Sequence, residues 1–333
     1  MGYICYNKRK VKTEGRGEAL KLFDKSKTFL GLAPMAGFTD YAFRKICAMC
    51  GADFTVTEMI SAKGLYYNNE RTGSLMSICR ESGVGVQIFG SEERSLNYAA
   101  SYVAKEAAPD FIDINMGCPT PKIVNSGDGS ALLKDLDKAL CCARAVISGA
   151  GDVPVTVKLR LGWESALSEL PDFVKRLEDE GIAAVFVHGR TSRQMYRPGV
   201  DYGAIKRIKE RVNIPVFANG DITSPEKAKE VLSITGADGL LIGRGSLGNP
   251  FIFGQIKEYL QSGSYRTPTK EEITELAIAQ LAEAVKDKGD RRASVEARSQ
   301  IAHYLKGMSG AAEKRKMLSE ATSSDEIINI LKL

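Results

Sequence analysis

The chain has 333 residues, 44% hydrophobic and 26% charged, with a formal net charge of +5. That suits one large α/β domain plus a smaller one, and the mild positive charge permits a polyanionic partner without demanding one. No run of roughly 18 apolar residues occurs and no signal-peptide core opens the chain, which excludes a membrane-spanning helix and leaves no membrane partner to expect.

Seven cysteines, an odd number without disulfide spacing, read as free thiols in a reducing cytoplasm. The only histidines are His188 and His303, and no ligand cluster is visible, so no metal is expected. Residues 1–28 carry Lys8, Arg9, Lys10, Lys12 and Arg16 and read as a basic, solvated N-terminal arm, with a nucleic-acid-binding arm as the alternative.

From Phe29 onward, β-prone runs alternate with stretches long enough for helices. The expected strands are Phe29–Pro34, Asp53–Glu58, Gly85–Phe89, Phe111–Asn115, Val153–Leu159, Ala184–His188, Ile214–Asn219 and Gly239–Ile242. They recur every 20 to 35 residues or so, the length of a βα unit. Between them, Glu93–Ala107 has apolar residues at helical spacing, and Ser224-Pro225-Glu226 looks like a helix start. Eight strands with crossovers predict an α/β fold, a (β/α)8 TIM barrel over residues 29–255. An open doubly wound sheet is the alternative that the pattern allows.

Past Pro250 the rhythm stops. Residues 251–268 read as a linker, and amphipathic helices are expected over Glu271–Lys288, Ala293–Gly307 and Ala311–Ala321. Residues 256–333 therefore read as a small all-helical C-terminal domain.

In a barrel the chemistry sits where the strands end. Those ends carry Gln87, Asn115, Lys158, Arg160, His188, Arg190, Asn219, Asp221 and Arg244, the last five of them from His188 on directly beside glycine. The pattern predicts a wide pocket in which backbone approaches a large planar ligand and side chains bond its edge. Gly243-Arg244-Gly245-Ser246-Leu247-Gly248 matches G-x-G-x-x-G, but it follows the last strand and not the first. A mononucleotide phosphate site fits that place better than a dinucleotide fingerprint. Arg160, Arg190, Arg193, Arg197 and Arg244 read as one basic rim for an anionic substrate.

Phe111-Ile112-Asp113-Ile114-Asn115-Met116-Gly117-Cys118-Pro119 is a buried strand that breaks just before a cysteine. A nucleophilic thiolate would need a base such as His nearby, whereas a thiol, mostly protonated at neutral pH, can instead give a proton to carbon, and both readings are open to Cys118 here. Cys47, Cys50, Cys79, Cys141 and Cys142 read as packing residues in or beside helices.

Together, Ala33-Pro34-Met35-Ala36-Gly37-Phe38-Thr39-Asp40, the Asp113–Pro119 run, Val187-His188-Gly189-Arg190-Thr191, Asn219-Gly220-Asp221-Ile222 and Ile242-Gly243-Arg244-Gly245 resemble the tRNA-dihydrouridine synthase family, nearest its bacterial B type. The resemblance implies an FMN-dependent oxidoreductase, with NADPH as reductant, that saturates the C5–C6 bond of selected uridines in tRNA. It implies that Pro34, Met35 and Ala36 line the flavin and that Gln87 and Lys158 bond its ring. His188, Asn219, Gly220, Asp221, Gly243 and Arg244 would hold its ribityl chain and phosphate. Asn115, Arg160 and Arg190 would face the uracil or its phosphate, and Arg298 the tRNA. A hydride would reach C6 from the flavin, and Cys118 would protonate C5. A monomer is expected.

Two places depart from the family pattern. The C-terminal run Arg298-Ser299-Gln300-Ile301-Ala302-His303-Tyr304 has Ser299 and Gln300 where Lys and His are usual, and His303 where Trp is usual. Ser192 stands where Arg is usual, with Arg193 one place on. The alternatives are a flavin barrel that reduces a free pyrimidine, and a catalytically silent RNA-binding protein.

Overall fold

The computed structural model describes residues 27–68, 76–78 and 80–333, so most of the basic arm, with Cys79, lies outside the described residues. Nine strands form one parallel sheet: β1 (Phe29–Leu32), β2 (Phe54–Val56), β3 (Ile60–Ser61), β4 (Gly83–Phe89), β5 (Phe111–Met116), β6 (Val155–Arg160), β7 (Ala184–His188), β8 (Val216–Asn219) and β9 (Gly239–Ile242). β1 pairs with both β2 and β9, and β2 also pairs with β4, so the sheet closes on itself as an eight-stranded barrel.

The second barrel position differs from the single strand expected over Asp53–Glu58. Val56 pairs with Gly85 and Ile60 with Ile88, so one strand carries an extra residue. This bulge interrupts the ladder at Thr57-Glu58-Met59 and brings Met59 to the barrel mouth. Thr57 Oγ1 accepts from Gln87 N at 3.1 Å, and Glu58 Oε1 accepts from Gly37 N at 2.6 Å. Burial raises the Glu58 carboxyl above its ordinary range, against the lowering effect of that Gly37 bond.

The barrel floor is aromatic. Phe54, Phe111, Phe186 and Phe217 pack with ring centroids 5.1–6.1 Å apart. Gly31 and Gly85 make room for them: a Cβ at either would stand 2.2 Å from the ring of Phe54 or Phe111. Strand side chains alternate, so the residue two places on again points inward. On β5, β7 and β8 that residue is Asp113, His188 and Asn219. The phenylalanine plug thus closes the bottom of the barrel, and a polar layer sits above it. A second apolar layer between strands and outer helices seals the sheet from outside.

Helix starts follow local chemistry. Ser224 caps Pro225–Thr235 by accepting from Lys227 N at 3.2 Å. Thr269 and Glu272 form a reciprocal capping box on Lys270–Lys288. Residues 252–262 are a helix, Ile252–Ser262, and not part of a linker; only 263–269 lack regular structure. The helix expected over Ala293–Gly307 is Asp290–Ile301 and ends in turns. Ser324–Lys332 is a further helix, capped by Ser323, that the sequence reading did not anticipate.

The C-terminal helices have their own apolar cluster around Leu281, Ile301, Tyr304 and Ile327. They dock on the first barrel helix, Tyr41–Met49, through Ala42, Ala284 and Ala293. Lys45–Glu283 at 2.9 Å and Lys288–Asp40 at 2.6 Å tie the same seam.

Candidate active site

A cavity of about 680 Å³ opens at the C-terminal ends of the strands. The loop after β1 brings Pro34, Met35 and Ala36 to it. The ends of β4, β5 and β6 bring Gln87, Asn115, Cys118, Lys158 and Arg160. The ends of β7, β8 and β9 bring His188, Asn219, Gly220, Asp221, Gly243 and Arg244. Fourteen residues separated by up to 210 positions in the chain therefore share one space.

Two expected site residues are elsewhere. Arg190 is 1% exposed and lies behind the cavity wall, donating to Asp221 and, at 2.7 Å, to the Arg197 carbonyl. Arg298 lies on Asp290–Ile301 and donates to the Ser319 carbonyl at 3.0 Å. The expected five-arginine rim is also reduced. Arg193, Arg197 and Arg244 reach solvent, but Arg160 and Arg190 are buried. Their strand-end positions point them inward, where loop carbonyls and a carboxylate take their donors.

The turn that bears the thiol is held on three sides. Asn115 Oδ1 accepts from the N–H of Gly117 at 3.1 Å and of Cys118 at 2.9 Å. Arg160 Nε donates to the Gly117 carbonyl at 3.0 Å, and its Nη1 to the Thr191 and Met195 carbonyls at 2.8 and 2.9 Å. Ser130 donates to the Cys118 carbonyl at 2.9 Å. The Cys118 thiol borders the cavity, 3.3 Å from Thr120 Oγ1. Rigid support of this kind fixes where the thiol sits.

Lys158 differs from the arginines. Its ammonium has no hydrogen-bond acceptor among the described residues, although it lies deep in the cavity. Burial, reinforced by Arg160 and only partly opposed by Asp113, lowers it to about 8. His188 is pushed far below its ordinary value by burial and then by Lys158, Arg160, Arg190 and Arg244, so it is a neutral ring. Asp221, in the left-handed region at φ 50°, accepts from Arg190 and, at 3.0 Å, from Arg244. The Arg190 bond in particular holds its carboxyl below the ordinary range.

The profile of the family described as "Dihydrouridine synthase (Dus)" matches residues 31–332. The chain belongs to the dihydrouridine synthase family. It is 43% identical over 287 residues to a tRNA-dihydrouridine synthase B of Pseudomonas putida, covering 85% of this chain and 84% of that one. It is 40% identical over 281 residues to the synthase B of Shewanella oneidensis, covering 84% and 87%. With that of Klebsiella pneumoniae it shares 37% over 301 residues, covering 90% and 93%. Among solved structures it is similar in fold to histamine dehydrogenase from Rhizobium sp. 4-9, with TM-score 0.52 and 15% identity over 78% of this chain and 48% of that one. It is also similar to 6-hydroxypseudooxynicotine amine oxidase from Pseudomonas geniculata N1, with TM-score 0.55 and 15% identity over 79% and 53%. The chain spans about half the length of those two structures, and at that identity they speak to fold alone.

Within this family, the departures at 192, 300 and 303 acquire physical reasons. Ser192 is 3% exposed and its hydroxyl bonds Ser130, the residue that holds Cys118. Arg193 points out and pairs with Glu164 at 3.0 Å. Gln300 is buried in the domain seam, donating to the Gly37 carbonyl at 3.1 Å and accepting from Gln280 at 2.6 Å. It therefore ties the loop after β1 to the C-terminal helices. His303 borders the cavity and meets Phe38 edge-on, ring centroids 5.6 Å apart.

The third glycine of the Gly243–Gly248 run has a role in the same seam. Gly248 has φ 70°, and a Cβ there would stand 2.3 Å from the His303 carbonyl oxygen. It is glycine because the C-terminal region rests on it, not because a dinucleotide does. Sequence reasoning also missed Tyr196, exposed at the mouth between the guanidinium groups of Arg160 and Arg244 at 5.6 and 4.6 Å. Its place in an irregular loop gave no periodic signal. It missed Asp113 as well, which is wholly buried below Asn115.

Among the described residues, no group of three or more His, Cys, Asp or Glu is placed to hold a metal, and no helix is long and apolar enough to cross a membrane.

Proposed function

We propose that this protein is a flavin-dependent tRNA-dihydrouridine synthase, reducing the C5–C6 bond of uridines in tRNA in the cytoplasm, with FMN as cofactor and NADPH as electron donor. The observation that carries the reading is Lys158, a half-buried cation without an acceptor among the described residues, facing the same cavity as a rigidly held thiol. Such a cation fits an anionic ring system. An apolar wall of Pro34, Met35 and Ala36 fits a planar ring. The Gly243-Arg244-Gly245 turn, with Arg244 half exposed, fits its phosphate.

Pro34, Met35, Ala36, Gln87 and Lys158 would hold the ring of FMN, which would supply hydride chemistry at C6 of the base when bound and reduced. Cys118 holds the proton that C5 receives, and Asn115 and Arg160 fix the turn from which it is given. Lys158 offsets the negative charge that develops in the base. The base must leave its stack to enter the cavity, which costs a few kcal/mol. Residues 29–255 then form the catalytic unit and 256–333 the tRNA-binding unit, with Arg298 among its cations and His303 and Tyr196 at the mouth.

The test is direct. Purified protein should be yellow and should form dihydrouridine in tRNA with NADPH. A colourless preparation that takes up no flavin would reject the reading. Reduction of free uridine at rates equal to those with tRNA would favour a small-molecule reductase instead.

A further inference from the structure

We propose that Asp113 is a positioning residue for the thiol turn, acting through Gln87 and Asn115. The proposal deepens the reading of Cys118 as proton donor and rests on it for its catalytic consequence. Asn115 Oδ1 faces two N–H donors, those of Gly117 and Cys118, so the oxygen and not the nitrogen must point there. Its Nδ2 therefore points down, 2.8 Å from Gln87, and must meet Oε1. Gln87 Nε2 then points at Asp113 Oδ2, 2.6 Å away. The other Asp113 oxygen accepts from Thr156 Oγ1 at 2.7 Å.

Every bond direction follows from the one above it, and the chain ends on a group that only accepts. A carboxylate satisfies that end. Asp113 is 0% exposed and Gln87 1%, so the link between them is shut off from bulk solvent. The one charged group that faces Asp113 is Lys158, from the neighbouring strand. An ionisable group two residues above a phenylalanine plug is costly, and an apolar residue would fill the space more cheaply. Orienting the amides gives the carboxyl a reason to be there. Without it, the Gln87 amide is free to turn its Nε2 against Asn115 Nδ2, and Asn115 keeps only the weak contact of that nitrogen with Met59 Sδ at 3.6 Å to hold its oxygen on the turn.

The experiment is alkylation of the purified flavoprotein with iodoacetamide, read cysteine by cysteine by mass spectrometry. It requires no turnover, so it stands even if tRNA proves not to be the substrate. Asp113→Leu should change the Cys118 rate by about fivefold or more, the scale of a lost buried hydrogen bond. Cys141, on the outer helix Leu136–Ala150, should react as before and reports an intact fold. Asp113→Asn keeps an acceptor toward Gln87 and should stay within about twofold of the parent. With tRNA, Asp113→Leu should lower kcat and leave KM unchanged, and Asp113→Asn should restore kcat. If Asp113→Leu does not fold, Gln87→Met cuts the same chain one link higher and should give the same Cys118 change. A Cys118 rate within twofold of the parent in Asp113→Leu or in Gln87→Met, or Asp113→Asn behaving like Asp113→Leu, would overturn the proposal.

Discussion

Lys158→Met should make the flavin-stripped protein more stable at pH 7 while weakening its hold on FMN. The folded state disfavours the charged lysine because burial and Arg160 outweigh Asp113, lowering it from 10.5 to about 8. A fall of that size corresponds to roughly 3 kcal/mol against folding. The ammonium borders an open cavity, where water screens it, so about 1–2 kcal/mol of the penalty should be recovered on substitution. The sign follows from proton binding. Below pH 8 the lysine is charged in both states and the penalty is complete. Between about 8 and 10.5 the folded state has lost its proton and the unfolded state has not, so stability rises with pH. Above that window the penalty is gone. Urea unfolding of both proteins should therefore show the variant ahead at pH 7 and the gap largely closed at pH 10. FMN affinity, followed by flavin fluorescence, should fall about tenfold, the loss of one charge-assisted contact. A variant less stable than the parent at pH 7 would mean that the ammonium is satisfied within the protein, and the argument from an unpaired cation would fail.

Cys118→Ala should keep flavin and tRNA bound and slow turnover by about 10² to 10⁴-fold, as for loss of a general acid; single-turnover dihydrouridine formation measures it, and an unchanged rate rejects the role. Gly248→Ala should lower stability by about 1–3 kcal/mol in urea, because a Cβ meets the His303 carbonyl and φ is positive; an unchanged midpoint would refute the docking role of that glycine. Asp113 has a carboxyl that burial raises to about 6, so the folded state binds the extra proton between about pH 4 and 6 and stability falls as pH rises through that window. Asp113→Asn should remove this slope, gaining about 1–3 kcal/mol at pH 8 relative to the parent, and identical pH–stability curves would contradict it. Replacing Arg298 by alanine should weaken tRNA binding and flatten its salt dependence; an affinity unchanged across a salt series would remove that residue from the RNA surface.

The barrel was legible in the sequence because its rules are local. Alternating apolar runs at a βα spacing predict a parallel closed sheet, and glycine near a polar residue marks most strand ends. The Ala33–Asp40 and Asp113–Pro119 runs carry the family likeness, so the thiol and its pocket could be named from residues alone. The bulge at Thr57–Met59 was not legible, since one extra residue in a strand has no composition of its own. Nor was the fate of the arginines. Arg160, Arg190, Arg193, Arg197 and Arg244 look equivalent in sequence, but inward or outward direction depends on register, and the closed barrel alone decides it. The same holds for Gln300 and His303, whose partners Gly37 and Phe38 lie more than 260 positions away. Sequence determined which groups stand at the strand ends, because periodicity fixes that. Tertiary structure decided which of their donors are already taken, because a hydrogen bond joins residues by distance in space, and so it alone leaves Lys158 facing the cavity without an acceptor among the described residues.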